Sequence, residues 1–174
     1  AATVVLEVER FAKLTPGLVA TVGMLEVKPS AGNVIPDSVT FSLDVRHLEN
    51  ATRKRAVAEL LDFAWHTARK RDLGFSHTVL LEQVSSHCDE MLLGFLGDAL
   101  EDSGRKRFEL ASGAGHDAMI MAEITRTAML FIRSPGGISH HPSEAVQIGD
   151  VRAALDVAYR FITKIAAAPQ NIWR

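Results

Sequence analysis

The chain has one cysteine, Cys88, among 174 residues. That excludes an intrachain disulfide framework and any zinc site built from several thiolates. It has no apolar run approaching the roughly 18 residues that a membrane-spanning helix needs. It has no excess of either charge: 19 Lys+Arg against 21 Asp+Glu leave a net charge of −2. No electrostatic footprint for nucleic acid or an anionic membrane surface follows from that balance. The first ten residues, AATVVLEVER, lack a basic, then apolar leader, so no secretory signal is expected and a soluble cytoplasmic protein is. There is no internal repeat and no low-complexity tract longer than Ala166–Ala168. There is also no G-x-S-x-G elbow and no HExxH pair, which argues against a serine hydrolase and against a self-contained zincin site.

What is there is ordinary globular composition, 47% hydrophobic and 23% charged. Surface scaling gives about 8,400 Å² folded against about 27,600 Å² unfolded, so a core without staples is possible. Apolar spacing at Val5, Val8 and Phe11 predicts a helix over 3–13, stopped by Thr15-Pro16-Gly17. No N-terminal cap precedes it, as expected of a helix joined part-way along. Alternation predicts a strand over 18–29 and a clearer one over 39–46, where Val39, Phe41, Leu43 and Val45 oppose Thr40, Ser42, Asp44 and Arg46. A long amphipathic helix is expected over 51–72 with Asn50 as its N-cap, then a third strand over 75–85. In the second half the pattern predicts a helix over 89–103 between Asp89 and Gly104. A short strand at 107–111, a helix through Glu123 and a buried strand at 128–133 follow. A last helix is expected over 149–166, its apolar stripe made of Val151, Leu155, Ala158 and Ile162. The fold class is α/β (α+β), with a boundary near residue 87: a small two-layer α+β unit, then the closing part of an α/β domain.

Seven histidines are present. His47, His66, His77 and His87 sit in or beside regular structure with no carboxylate-rich motif, and read as hydrogen-bonded or solvated side chains. His116, His140 and His141 lie in glycine-rich stretches. In Ser112-Gly113-Ala114-Gly115-His116-Asp117, small residues let backbone N–H groups approach a ligand ahead of a helix N-terminus; an ordinary glycine turn before a helix is the equal alternative. In Pro135-Gly136-Gly137-Ile138-Ser139-His140-His141-Pro142, a turn presents two imidazoles, the commonest protein metal ligand. One or two imidazoles do not make a metal site, because catalytic zinc needs about three protein ligands. Arg46 on the polar face of its strand and Asn33 in the loop before it could fork and orient a carboxylate; a solvated strand face and a turn asparagine are the plainer readings.

Three segments, TVGMLEVKPSAGNVIPDSVTFSLDVRH (21–47), SGAGHDAMIMA (112–122) and AMLFIRSPGGISHHPSEAV (128–146), resemble one family in order and wording. It is the zinc-dependent N-carbamoyl-L-amino-acid hydrolase, β-ureidopropionase and allantoate amidohydrolase group, within the aminoacylase/carboxypeptidase superfamily of metallopeptidases. The resemblance implies an inserted lid domain that pairs subunits into a homodimer, here residues 1–86 without the lid's first strand. Residues 87–174 would be the C-terminal part of a catalytic domain. It implies two divalent ions per complete site, Zn2+ or alternatively Mn2+, Ni2+ or Co2+. His140 resembles the family's final metal ligand and His116 an active-site, catalytic residue. Gly113, Ala114 and Gly115 lie where substrate is held, and Asn33 and Arg46, thirteen apart, match the lid pair that holds the substrate carboxylate across the dimer interface. The family's remaining ligands and its glutamate base are not in this chain, so the resemblance implies a piece that is inactive alone, belonging to an enzyme of small ureido or carbamoyl acids. The other readings are a non-catalytic dimerisation or carboxylate-binding module, and an aminoacylase or dipeptidase of the same superfamily.

Overall fold

The computed structural model describes residues 1–139 and 141–169. They form two compact units. The first is Ala1–Ser85 with Ala111–Gly113, and the second is Ser86–Leu110 with the chain from Ala114 onward. No described helix is long and apolar enough to cross a membrane.

The first unit is two helices against a broken β-ribbon. Helix α1 spans Ala2–Leu14 and α2 spans Asn50–Arg69. Between them run β1 (Val19–Thr21), β2 (Leu25–Lys28), β3 (Ser38–Phe41) and β4 (Asp44–Arg46). β1 pairs with β4 and β2 with β3, both antiparallel. Each expected strand is thus split in two, and the register says why. Val19 faces Arg46 and Thr21 faces Asp44, whereas Leu25 faces Phe41 and Lys28 faces Ser38. Three residues, Val22–Met24, therefore stand opposite two, Ser42 and Leu43. This is a β-bulge, which shifts the alternation by one. Ser42 closes it: its Oγ accepts from the Met24 N–H at 3.0 Å and its own N–H donates to the Met24 carbonyl at 3.1 Å. Ala20, Val22, Phe41, Leu43 and Val45 all pack on a core of Val4, Val8, Leu60 and Ala64.

The buried positions of α2, namely Ala56, Leu60, Ala64 and Ala68, recur every four residues. That is one helical stripe, and three small side chains let α1 lie close. Asn50 does not cap this helix. Glu49 holds the N-cap position, and the Asn50 amide is spent elsewhere. Its Nδ2 donates to Ser85 Oγ at 3.0 Å, and its Oδ1 accepts from the Ser85 N–H at 3.1 Å. The segment so tied, 75–85, is extended but joins no ladder among the described residues, which corrects the expected third strand. A strand needs a neighbouring backbone to accept its bonds.

His47 links the ribbon to the α1–β1 turn. Its Nδ1 accepts from the Glu49 N–H at 2.8 Å, which leaves Nε2–H to donate to the Pro16 carbonyl at 3.1 Å. The plain reading of this histidine holds. Replacing His47 with alanine removes both bonds and is expected to cost about 1–2 kcal/mol, seen as a lower urea midpoint with an unchanged slope.

In the second unit α3 (Glu90–Asp102) packs on α5 (Ile148–Ala167). Leu96, Ala99 and Val157 are buried, with Leu100, Leu130 and Phe161 packed around them. Asp89 caps α3, accepting from the Leu92 N–H at 3.0 Å, and Gly104 follows its end at φ +73°. Both termini match the sequence reading. The buried face of α5 does not: Leu155 and Ile162 are exposed, and Val157 with Phe161 meets α3. Two apolar stripes run along this helix, and packing selects the one that faces Ala99. The strands expected at 107–111 and 128–133 are extended segments without a ladder among the described residues. Leu130 alone of the second reaches the α3–α5 core, while Phe131 and Ile132 stay largely exposed.

Candidate functional site

Arg46 ends β4 with its side chain half exposed. Asp44, two residues earlier, projects from the same strand face. The Asp44 carboxylate takes the guanidinium side-on, Oδ1 accepting from Nε at 2.8 Å and Oδ2 from Nη2 at 2.6 Å. The hydrogen-bonded guanidinium holds the Asp44 carboxyl below the usual carboxylate range, and Asp44 in turn raises Arg46. Arg46 Nη1 donates to the Gly113 carbonyl at 2.7 Å. Arg46 and Gly113, 67 residues apart in the sequence, therefore meet within the first unit. A carbon atom added at Gly113 or Gly115 would meet nothing within 4 Å. The chain does not require glycine at either position by crowding.

Asn33 lies in the exposed turn between β2 and β3, where the Val34 N–H donates to the Ala31 carbonyl at 3.3 Å. Arg46 is at the far end of the ribbon. Eight residues separate Ser38 from Arg46, roughly 25 Å of extended chain. The structure does not bring Asn33 and Arg46 of one chain together.

In the second unit, His116 precedes α4, Asp117–Met121. A helix of five residues has little dipole to offer an anion, so the expected anion-binding helix N-terminus is not built. The His116 ring instead meets the edge of Phe131, centroids 6.1 Å apart at 66°. This places SGAGHDA against the segment that leads into the histidine loop. Arg133 Nε donates to Asp150 Oδ1 at 2.9 Å and ties that segment to the start of α5. Pro135–Gly137 then makes a single 3-10 turn, with Gly136 and Gly137 at φ +70° and +67°. Two successive left-handed residues need glycine.

His140, the expected metal ligand, lies outside the described residues. His141 is not suited to the part in its present bonding. Its Nδ1 accepts from the Ser143 N–H at 3.2 Å and lies 2.6 Å from Ser143 Oγ, which leaves the proton of the neutral ring on Nε2. Among the described residues no group of three or more His, Cys, Asp or Glu side chains could hold a metal ion. The described residues therefore do not make a complete metal centre by themselves. Two other histidines have structural partners: His66 lies 3.5 Å from Asp62 and edge-on to Trp65, and His77 stacks on Phe75. Sequence reasoning missed Asp44 and Phe131. Asp44 was visible, since an acid two residues from an arginine on a strand shares its face; the ring contact of Phe131 had no sequence signal.

Comparison with known proteins bears on the same segments. The family model described as Peptidase family M20/M25/M40 matches residues 14–164. An N-carbamoyl-L-amino-acid amidohydrolase of Pseudomonas sp. (strain NS671) is 34% identical over 166 residues, taking in 94% of this chain and 40% of that protein. An allantoate deiminase of Arabidopsis thaliana is 38% identical over 153 residues, taking in 81% of this chain and 28% of that protein. The crystal structure of an amidase of the hydantoinase/carbamoylase family from Burkholderia multivorans superposes with a TM-score of 0.89 at 30% identity, covering 97% of this chain and 41% of that one. The chain thus spans about two fifths or less of the length of these relatives. The matched residues run from the end of α1 through the ribbon, the SGAGHDA segment and most of α5, and the chain belongs to the Peptidase family M20/M25/M40.

Proposed function

We propose that this chain is the carboxylate-holding part of a metal-dependent amidohydrolase that cleaves linear amide or ureido C–N bonds in small acids, N-carbamoyl amino acids or allantoate. The observation that carries the reading is the Arg46–Gly113 hydrogen bond, which seats a guanidinium beside the open glycine backbone. Arginine is the side chain suited to a carboxylate, because its planar N–H groups pair with two oxygens. Names of relatives supply the substrate class: one acts on N-carbamoyl-L-amino acids and another on allantoate, both small ureido acids.

In this reading residues 1–86 are the lid and dimerisation domain, and 87–174 belong to the catalytic domain. Arg46 receives the substrate carboxylate beside Gly113, Ala114 and Gly115. Asn33, at the other end of the ribbon, serves the site of a second copy, so that a homodimer is needed to complete both. His116, held edge-on by Phe131, stands at the reacting end. His140 is this chain's ligand to a pair of divalent ions, zinc or else manganese, nickel or cobalt. The other ligands and the general base come from residues beyond this chain, which alone is inactive, and the working protein is cytoplasmic.

The complete protein should release ammonia from allantoate or an N-carbamoyl-L-amino acid, and lose that activity on chelation. Failure on every ureido and carbamoyl acid tried would sink the proposal. Replacing His140 with alanine should lower bound metal by about one ion per subunit, read by inductively coupled plasma mass spectrometry; full occupancy would remove His140 from the ligand set.

A further inference from the structure

A guanidinium has five N–H donors in a fixed fork. In Arg46 three are already engaged, Nε and one on Nη2 by Asp44, and one on Nη1 by Gly113. Two remain, one on each terminal nitrogen. An incoming carboxylate is restricted to those two unless it displaces Asp44. Arg46 is half exposed and carries no other hydrogen bond among the described residues, so Asp44 supplies most of what fixes its position. Without that grip, the long side chain would recover rotamers that ligand binding must then remove.

We propose that Asp44 is the positioning residue for carboxylate capture: its side-on grip aims Arg46 and leaves two of its N–H groups for the substrate's carboxylate. This rests on the reading of Arg46 as the carboxylate anchor. Among the described residues the Asp44 side chain hydrogen-bonds Arg46 alone, and it acts through that residue. Two effects oppose each other here. The grip pre-organises the donors and favours binding, whereas the carboxylate charge beside them disfavours a second anion. Both side chains are about half exposed, so water screens the charge effect while the geometric one persists. Pre-organisation therefore wins, and the net effect of Asp44 on affinity is favourable.

The test is steady-state kinetics of the complete protein on N-carbamoylglycine, with thermal unfolding alongside. Asp44→Ala should raise KM about tenfold, in keeping with freeing one arginine side chain, with kcat within about twofold. Asp44→Asn keeps one carbonyl acceptor and should recover part of the loss. Should the alanine variant unfold, the asparagine variant alone decides by the sign of its KM change. In an Arg46→Ala background, Asp44→Ala should change nothing further. A lower or unchanged KM in Asp44→Ala, or effects that multiply in the double variant, would overturn the inference. Arg46→Ala with an unchanged KM would instead overturn the anchor reading itself. Arg46→Ala with a raised KM beside a silent Asp44→Ala would overturn only the role of Asp44.

Discussion

Replacing Arg46 with alanine is expected to raise KM for a carboxylate substrate and to leave kcat little changed. The loss should be about 2–4 kcal/mol, the range for removing charge-assisted hydrogen bonds to a small anion. In kcat/KM that is roughly thirtyfold to several hundredfold. The change falls on KM because the carboxylate is held alike in ground and transition states. Arg46→Lys should recover only part, since an ammonium is a point charge that cannot pair with two oxygens in one plane. A substrate analogue whose carboxylate is replaced by a carboxamide supplies the control: its KM should be nearly the same in both proteins. An unchanged KM for the carboxylate substrate in the alanine variant would remove Arg46 from the site.

The variant also bears on the first unit's structure. Arg46 is the donor to the Gly113 carbonyl, so its loss frees that end of the SGAGHDA segment. The exposed Asp44–Arg46 pair itself contributes little to stability. Its pH dependence has a definite sign. Asp44 is held below the usual carboxylate range by Arg46, so its stabilising part is present above the unfolded carboxyl's pKa. That part is lost as pH falls through the lowered value. In Arg46→Ala that downward pull on Asp44 is removed together with its cause.

Legibility in the sequence followed the range of the interaction. Asp89 and Gly104 bracket α3 through bonds within a turn, and both were readable. Asn50 was misread because its amide serves Ser85, 35 residues away. The bulge at Val22–Met24 was hidden because alternation continues unbroken through Gly23, and only the partner strand shows that one residue is extra. The segments 75–85, 107–111 and 128–133 have strand composition, but composition does not provide a neighbour. On α5 the sequence reading took the stripe of Val151, Leu155, Ala158 and Ile162, but Leu155 and Ile162 are exposed because packing on α3 buries Val157 and Phe161 instead. For the site, the spacing of Asn33 and Arg46 was visible, yet their separation along the ribbon was not. The motifs at 112–122 and 128–146 were legible as words. The Phe131 contact that joins them, and the Ser143 bond that fixes the His141 tautomer, follow from folding.

Replacing Leu60 with alanine should be the most destabilising single change in the first unit. Leu60 is 1% exposed and packs with Val4 and Val8 of α1 and with Ala64. Removing its isobutyl group costs the lost transfer energy plus the cavity left behind, about 2–5 kcal/mol. The upper half of that range is expected here. Its neighbours on the buried stripe, Ala56, Ala64 and Ala68, are already small and cannot swell into the void. Against a typical domain stability of about 5–15 kcal/mol, that is a large fraction. Urea unfolding followed by circular dichroism should show the midpoint falling with little change in slope. Leu155→Ala, on the exposed stripe of α5, should shift it by less than about 0.5 kcal/mol. The core change also reaches the site. Phe41, Leu43 and Val45 pack on the Leu60 cluster, and Val45 is the residue before Arg46 on β4. Loss of that backing loosens the strand that aims the guanidinium, so KM of the Leu60→Ala variant should climb with temperature while the protein is still folded. A KM that tracks the wild type up to the unfolding transition would show that β4 is held by the ribbon alone.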